Sequence, residues 1–242
     1  MSKVTFKNAK LSYKGKKKEY NTVIDDLNMV IDSEKINVII GESGSGKTTI
    51  LRAIAGLLNL EEGEIYFDDV NVTKYDPASR NVSYVSQMIG LYPNFTVFNN
   101  IAFPLKISHT PADEIRERVY EVAEMLKISH CLTRKPKELS IGQAQRVAIA
   151  RAIIKRANVY LFDEPFSNLN KDLSLELTME LKKLLTTLRA TAVFVSHDVS
   201  EALSIGDHVF VAHEGKIIFD GTPQKLIQSK DKRIVKLLEA SK

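Results

Sequence analysis

Residues 41–49 read GESGSGKTT: three glycines, two serines, two threonines, a glutamate and a lysine in nine positions. Such a stretch is suited to holding an anion. Gly41, Gly44 and Gly46 let the backbone curl so that successive N–H groups point inward around phosphate oxygens. Lys47 would reach the β- and γ-phosphates of a nucleotide and the Thr48 hydroxyl would bind Mg²⁺, with Ser43, Ser45 and Thr49 in the same phosphate-binding stretch. The pattern GxxxxGK[ST] carries weight only between a strand and a helix. Both flanks are present: the β-branched run Ile36-Asn37-Val38-Ile39-Ile40 before it, and Ile50, Leu51, Ile54, Leu57 and Leu58 at helical spacing after it. A chance glycine-rich turn accounts for neither flank. The sequence implies binding of a nucleoside triphosphate.

Two further groups have the chemistry to act on it. Ala157-Asn158-Val159-Tyr160-Leu161-Phe162-Asp163-Glu164-Pro165 is an apolar strand ending in two carboxylates. In an open parallel sheet, ligands sit at the carboxyl ends of the strands, which would turn Asp163 toward the Mg²⁺ near Thr48. Glu164, one residue on, projects differently and can polarise an attacking water. A third apolar run, Ala192-Val193-Phe194-Val195, ends in Ser196-His197-Asp198. There His197 could touch the γ-phosphate or hold the water through Glu164, against the plainer reading of a structural histidine. Thr73-Lys74-Tyr75-Asp76 spells TKxD, a form of the guanine-reading motif. It follows the phosphate loop too closely and runs into Pro77, so it reads as a turn and the nucleotide as ATP.

The bulk numbers agree with a globular scaffold for these groups. The chain has 242 residues, 44% hydrophobic and 26% charged, enough for a sizeable core. One cysteine, Cys131, excludes an internal disulfide and suits a reducing compartment. The opening MSKVTFKNAK has no apolar leader region, and no apolar run approaches the roughly 20 residues that span a bilayer. The net charge of +4 says little about partners. The cluster Lys14-Gly15-Lys16-Lys17-Lys18 lies between two strand-like segments and reads as a solvated hairpin tip rather than a nucleic-acid or headgroup site.

LSIGQAQR, residues 139–146, looks like a helix start, with Val147, Ile149, Ala150, Ile153 and Ile154 recurring behind it. Its Ser, Gly and two Gln leave the positive end of the helix bare, as an incoming anion would need. Taken in order, GESGSGKTT, Gln87, LSIGQAQR, VYLFDEP, SNLN and SHD resemble the ATP-binding cassette (ABC) ATPases over nearly the whole chain. The resemblance implies an α/β fold: a P-loop NTPase core of mainly parallel sheet flanked by helices, with an antiparallel β subdomain and a small α-helical subdomain. It implies one domain, with residues 1–87 and 157–242 forming the catalytic lobe and residues 88–156 the helical lobe.

The same resemblance assigns roles. Ser140, Gly142 and Gln143 would face the γ-phosphate of ATP held by a partner's phosphate loop, so the active form would be a head-to-tail pair of ABC subunits, a homodimer or a heterodimer. Tyr13 would stack on adenine, with Tyr20 as the alternative and a core tyrosine as the plain reading. Gln87 would contact Mg²⁺ and water between the lobes, and Ser167-Asn168-Leu169-Asn170 would run along the dimer seam. The broken aromatic stretch at 89–98 would receive a membrane permease subunit. The helix after it would bury Ile115, Val119, Val122 and Leu126, with Glu114 and Arg118 paired outside. The implied place is the inner face of the cell membrane, peripheral, with no nucleic acid.

Two positions depart from the family pattern. Ile141 stands where a glycine is usual; the first turn of a helix needs no positive φ, so the expectation is tolerance with weaker ATP contact in trans. Asn170 replaces an aspartate and removes a charge from the seam. The chain ends soon after Gly221-Thr222-Pro223-Gln224, from which the expectation is no extra regulatory domain, and segment 85–105 resembles importer subunits of the maltose or osmolyte type. The rival readings are a non-hydrolysing ATP-dependent clamp, suggested by Ile141 and Asn170, and a soluble ABC ATPase acting on nucleic acid or ribosomes.

Overall fold

The computed structural model describes residues 1–14 and 20–239, apart from the side chains at positions 14, 20 and 21. Most of the lysine-rich cluster and the side chain of Tyr20 therefore lie outside the described residues. In chain order the elements are β1 (Val4–Lys14), β2 (Tyr20–Ile31), β3 (Ile36–Ile40), α1 (Lys47–Ile54), β4 (Glu62–Phe67), β5 (Val70–Asn71) and β6 (Val82–Val85). Then follow α2 (Val97–Ile107), α3 (Ala112–Met125), α4 (Ile141–Ile153), β7 (Val159–Asp163), α5 (Lys171–Thr187), β8 (Ala192–Ser196) and α6 (Val199–Ile205). The chain closes with β9 (His208–His213), β10 (Lys216–Gly221), α7 (Pro223–Ile227) and α8 (Lys232–Glu239).

The three apolar runs become the centre of a six-stranded sheet, ordered β10-β9-β3-β8-β7-β6. Every residue of β3, β7 and β8 is buried, as expected of strands covered on both faces. Their side chains alternate between two cores. Val38, Ile40, Tyr160, Phe162 and Phe194 face the side covered by α4, α5 and α6; Ile39, Leu161, Val193 and Val195 face α1 and the second sheet. Strands β3, β8, β7 and β6 run parallel, with Ile40 opposite Ser196 and Asp163 opposite Val195. This register brings the phosphate loop, Glu164 and His197 out at the same edge of the sheet. The second sheet, β2-β1-β4-β5, is antiparallel.

The segment between β6 and β7 is helical. Thr96 caps α2, and α3 buries Ile115, Val119 and Val122, with Leu126 buried just beyond its end and Arg118 paired to Glu114 at 2.6 Å. None of the described helices is long and apolar enough to cross a membrane.

One boundary differs from the expectation. The helix after the phosphate loop stops at Ile54, short of Leu57 and Leu58, and Leu57 is 58% exposed. Gly56 ends it: at a φ of 73° its N–H donates to the Ala53 carbonyl at 3.1 Å, and Leu57 N donates to the Arg52 carbonyl at 2.9 Å. Behind that end lies Arg80, which is fully buried. Its guanidinium donates to the carbonyls of Ala53 (2.6 Å), Ile54 (3.1 Å), Thr73 (3.0 Å) and Tyr75 (3.1 Å). Those bonds satisfy the last carbonyls of α1 that a further turn would otherwise use. They also explain Thr73-Lys74-Tyr75-Asp76, which is a turn whose carbonyls hold Arg80.

Candidate nucleotide site

The loop after β3 has the backbone that its glycines allow. Gly41, Gly44 and Gly46 have φ of 155°, 81° and 99°, and Gly46 opens α1 in the left-handed region. Lys47 turns back over this loop, its Nζ donating to the carbonyls of Gly41 (2.8 Å) and Glu42 (3.0 Å). Burial pushes its pKa down, opposed by the carboxylates of Glu164 and Asp163. Ser45 is buried and its Oγ has no hydrogen-bond partner among the described residues. A buried donor without a partner costs free energy, so this hydroxyl fits a loop built around an anion.

Thr48 and Asp163 meet across the sheet: Thr48 Oγ1 donates to Asp163 Oδ1 at 2.8 Å. The other oxygen, Oδ2, accepts from Tyr84 at 2.7 Å. Burial, and then the negative Asp163, raise the pKa of that tyrosine, so it remains a donor. Sequence reasoning passed over Tyr84. The signal was its place in β6 three residues before Gln87, but only the pairing of β6 with β7 shows that it reaches Asp163. Hard oxygen donors from a hydroxyl and a carboxylate suit Mg²⁺ shared with substrate phosphates. No group of three His, Cys, Asp or Glu among the described residues could hold a metal unaided.

Tyr13, Lys47, Thr48, Thr49, Gln87 and Glu164 line one cleft of about 430 Å³, together with Ser43, Gly44 and Gly46. Tyr13 is partly exposed there, with its hydroxyl 3.3 Å from Thr49 Oγ1. Glu164 sits just past β7 with φ of 47°, a left-handed conformation uncommon for a non-glycine residue. It is pinned by its N–H donating to the Val195 carbonyl at 3.0 Å, and by Ser167 Oγ donating to its own carbonyl at 3.1 Å. His197 Nδ1 lies 3.0 Å from Glu164 Oε2. Gln87 reaches residues 167–168 instead of Glu164, donating from Nε2 to Ser167 Oγ at 3.4 Å, and Asn168 Nδ2 donates back to the Gln87 carbonyl at 3.4 Å.

The start of α4 differs from the expectation. It is not bare. Ser140 Oγ accepts from Gln143 N at 3.3 Å, and Gln143 Oε1 accepts from Ser140 N at 3.0 Å. This reciprocal capping box was legible as Ser-x-x-Gln and was missed. Gly142 has a local reason as well: a Cβ there would lie 3.1 Å from Leu173 Cδ2 of α5. Ile141 occupies the first helical position, outside the residues with positive φ, and is 58% exposed. None of Ser140, Gly142 and Gln143 lines the cleft. Asn170 caps α5 by accepting from Leu173 N at 2.9 Å, so the departure from aspartate keeps the cap and drops the charge.

Comparison with known proteins agrees with this arrangement. The sequence signature of the ABC transporter family matches residues 24–167. The chain is 41% identical over 222 residues to the sn-glycerol-3-phosphate import ATP-binding protein UgpC of Bartonella quintana (strain Toulouse), covering 90% of this chain and 64% of that protein. It is also 41% identical over 217 residues to the uncharacterized ABC transporter ATP-binding protein YurJ of Bacillus subtilis (strain 168), covering 90% and 58% respectively. The chain thus spans less than two thirds of the length of these curated relatives. Among solved structures it resembles the dimeric post-hydrolysis state of the ATP-binding cassette MJ0796 bound to ADP and Pi. The TM-score is 0.80 and the identity 30%, over 91% of this chain and 98% of that one. With the phosphate loop, the acidic strand end and the capped helix start all in place, the chain belongs to the ABC transporter family.

Proposed function

We propose that this chain is the ATP-binding and hydrolysing subunit of an importer, peripheral on the inner face of a membrane and seated on permease subunits. The relative named for sn-glycerol-3-phosphate import supports the direction of transport, and the solute is left to the membrane partner. The observation that carries the reading is the Glu164–His197 pair, 3.0 Å apart, with Glu164 lining the cleft shared by Lys47 and Thr48.

In this reading the phosphate-loop N–H groups, Lys47 and Ser45 hold the triphosphate, and Tyr13 supports the adenine. Glu164 takes a proton from water as its oxygen attacks the γ-phosphorus; the bond to the bridging oxygen breaks, leaving ADP and inorganic phosphate. His197 orients Glu164 and meets the γ-phosphate. Thr48, Asp163 and Gln87 would hold Mg²⁺, which when bound offsets phosphate charge as a Lewis acid. Ser140, Gly142 and Gln143 of a second copy complete the site in a head-to-tail homodimer. Residues 1–87 and 157–242 act as the catalytic lobe and residues 88–156 as the helical lobe, whose stretch at 89–98 meets the permease.

Phosphate release by the purified chain, alone and with its permease, tests this. Mg-dependent turnover is expected; tight ATP binding with no release in either form would replace the reading with that of a clamp.

A further inference from the structure

The turn that carries His197 is held from behind by a carboxylate that the chemistry above does not use. Ser196, which ends β8, is buried; its Oγ donates to Glu201 Oε2 at 2.6 Å and accepts from Asp198 N at 2.9 Å. A hydroxyl has one proton, and the short contact to the carboxylate claims it over the 3.3 Å approach to the Asp198 carbonyl. Asp198 caps α6, its Oδ1 accepting from Ser200 N at 2.7 Å and Glu201 N at 3.4 Å. Both chain neighbours of His197 therefore belong to one network, while its ring lies against Glu164. The second carboxylate oxygen, Glu201 Oε1, accepts from Ser174 Oγ of α5. Ser174 lies one helical turn beyond Asn170, and its N–H donates to the Asn170 carbonyl at 2.9 Å.

We propose that Glu201 is a positioning residue. It fixes the turn from Ser196 to Asp198 that aims His197 at Glu164, and through Ser174 it ties that turn to α5 and the seam loop. The proposal rests on the roles given above to Glu164 and His197. The carboxylate accepts from both serine hydroxyls at once, one on each oxygen. Glutamine, nearly identical in shape, offers one acceptor oxygen and an NH₂ that can only donate, so one serine must reverse its bond and turn its own proton elsewhere.

The test uses the full chain with Glu201→Gln, His197→Ala and the double variant. Glu201→Gln is expected to lower kcat about 10- to 100-fold, the scale of a small misplacement of a reacting group, and to leave KM for ATP within about twofold, since the phosphate loop, Lys47 and Tyr13 are untouched. In the His197→Ala background the same change is expected to alter kcat by less than about twofold, because its route of action is gone. Losses that multiply independently, or a wild-type kcat in Glu201→Gln, would overturn the proposal. A second readout does not depend on turnover. Imidazole ¹⁵N resonances of His197 are expected to move in Glu201→Gln while those of His208 and His213 stay; unmoved His197 signals overturn the proposal. Wild-type turnover in Glu164→Gln would instead remove the functional reading, leaving the ring signals to decide the geometry. If Glu201→Gln does not fold, Ser196→Ala cuts the same link from its other end, with the same expected losses.

Discussion

The cleft at the sheet edge and the start of α4 both offer hydrogen-bond donors to an anion, yet they are built in opposite ways. The cleft hangs from three strands that are buried throughout, and their register forces the phosphate loop, Asp163 and His197 to one edge. Its groups lean on each other: Thr48 and Tyr84 share Asp163, and His197 lies against Glu164. The α4 start stands apart from the cleft, and Ser140 and Gln143 satisfy each other. A site preassembled within one molecule spends its polar groups on mutual support. A surface meant for a second molecule must stay ordered while it waits, and a capping box does that without any partner.

The sharpest way to break this contrast is on the cleft side. Glu164→Gln keeps shape and removes the base, so turnover should fall by roughly 10²–10⁴ with ATP binding retained. Phosphate release and nucleotide affinity measure the two. On the other side, Ser140→Asp separates the cap from the phosphate contact. Aspartate caps as well as serine and suits the helix dipole, so the thermal midpoint should hold. Its charge would repel a triphosphate delivered across the interface, so turnover should fall about 10²–10³, the scale of one lost transition-state donor. Full turnover with an unchanged midpoint would reduce Ser140 to a cap.

Smaller effects sharpen the picture of α4. Gly142→Ala should cost about 1–3 kcal/mol by overpacking against Leu173, visible in denaturant melts and relieved when Leu173 is shortened to Val. Relief would tie the glycine to packing with α5; persistent loss of turnover in the relieved pair would tie it to the nucleotide. Asn170→Asp should move stability by less than about 0.5 kcal/mol, because both residues cap equally well. Any change in turnover then reports the charge at the seam alone.

Strong local patterns made most of the cleft legible. The largely apolar, short runs behind Gly41, Glu164 and His197 read as buried strands, and strand ends in a parallel sheet say where their next residues point. What stayed hidden depended on pairing or on competition. Tyr84 needed the register of β6 on β7 before it could be placed at Asp163. The overlong helix prediction weighed the helical period of Leu57 and Leu58 over Gly56, whose left-handed φ turns the chain out of α1. Asn170 was weighed for the charge it lacks, whereas its observed bond is to the helix it starts.

Arg80 does more than bond the last carbonyls of that helix. The eight residues of α1 span about 12 Å, with the phosphate loop at one end and a guanidinium at the other. An arginine stays protonated even where burial lowers its pKa, as it does here. Its charge sits on the electronegative end of α1 and quenches it, while the electropositive end at the loop is left uncompensated. The protein thus keeps a permanent counter-ion beneath its anion receptor, wired through the helix and out of reach of solvent salt.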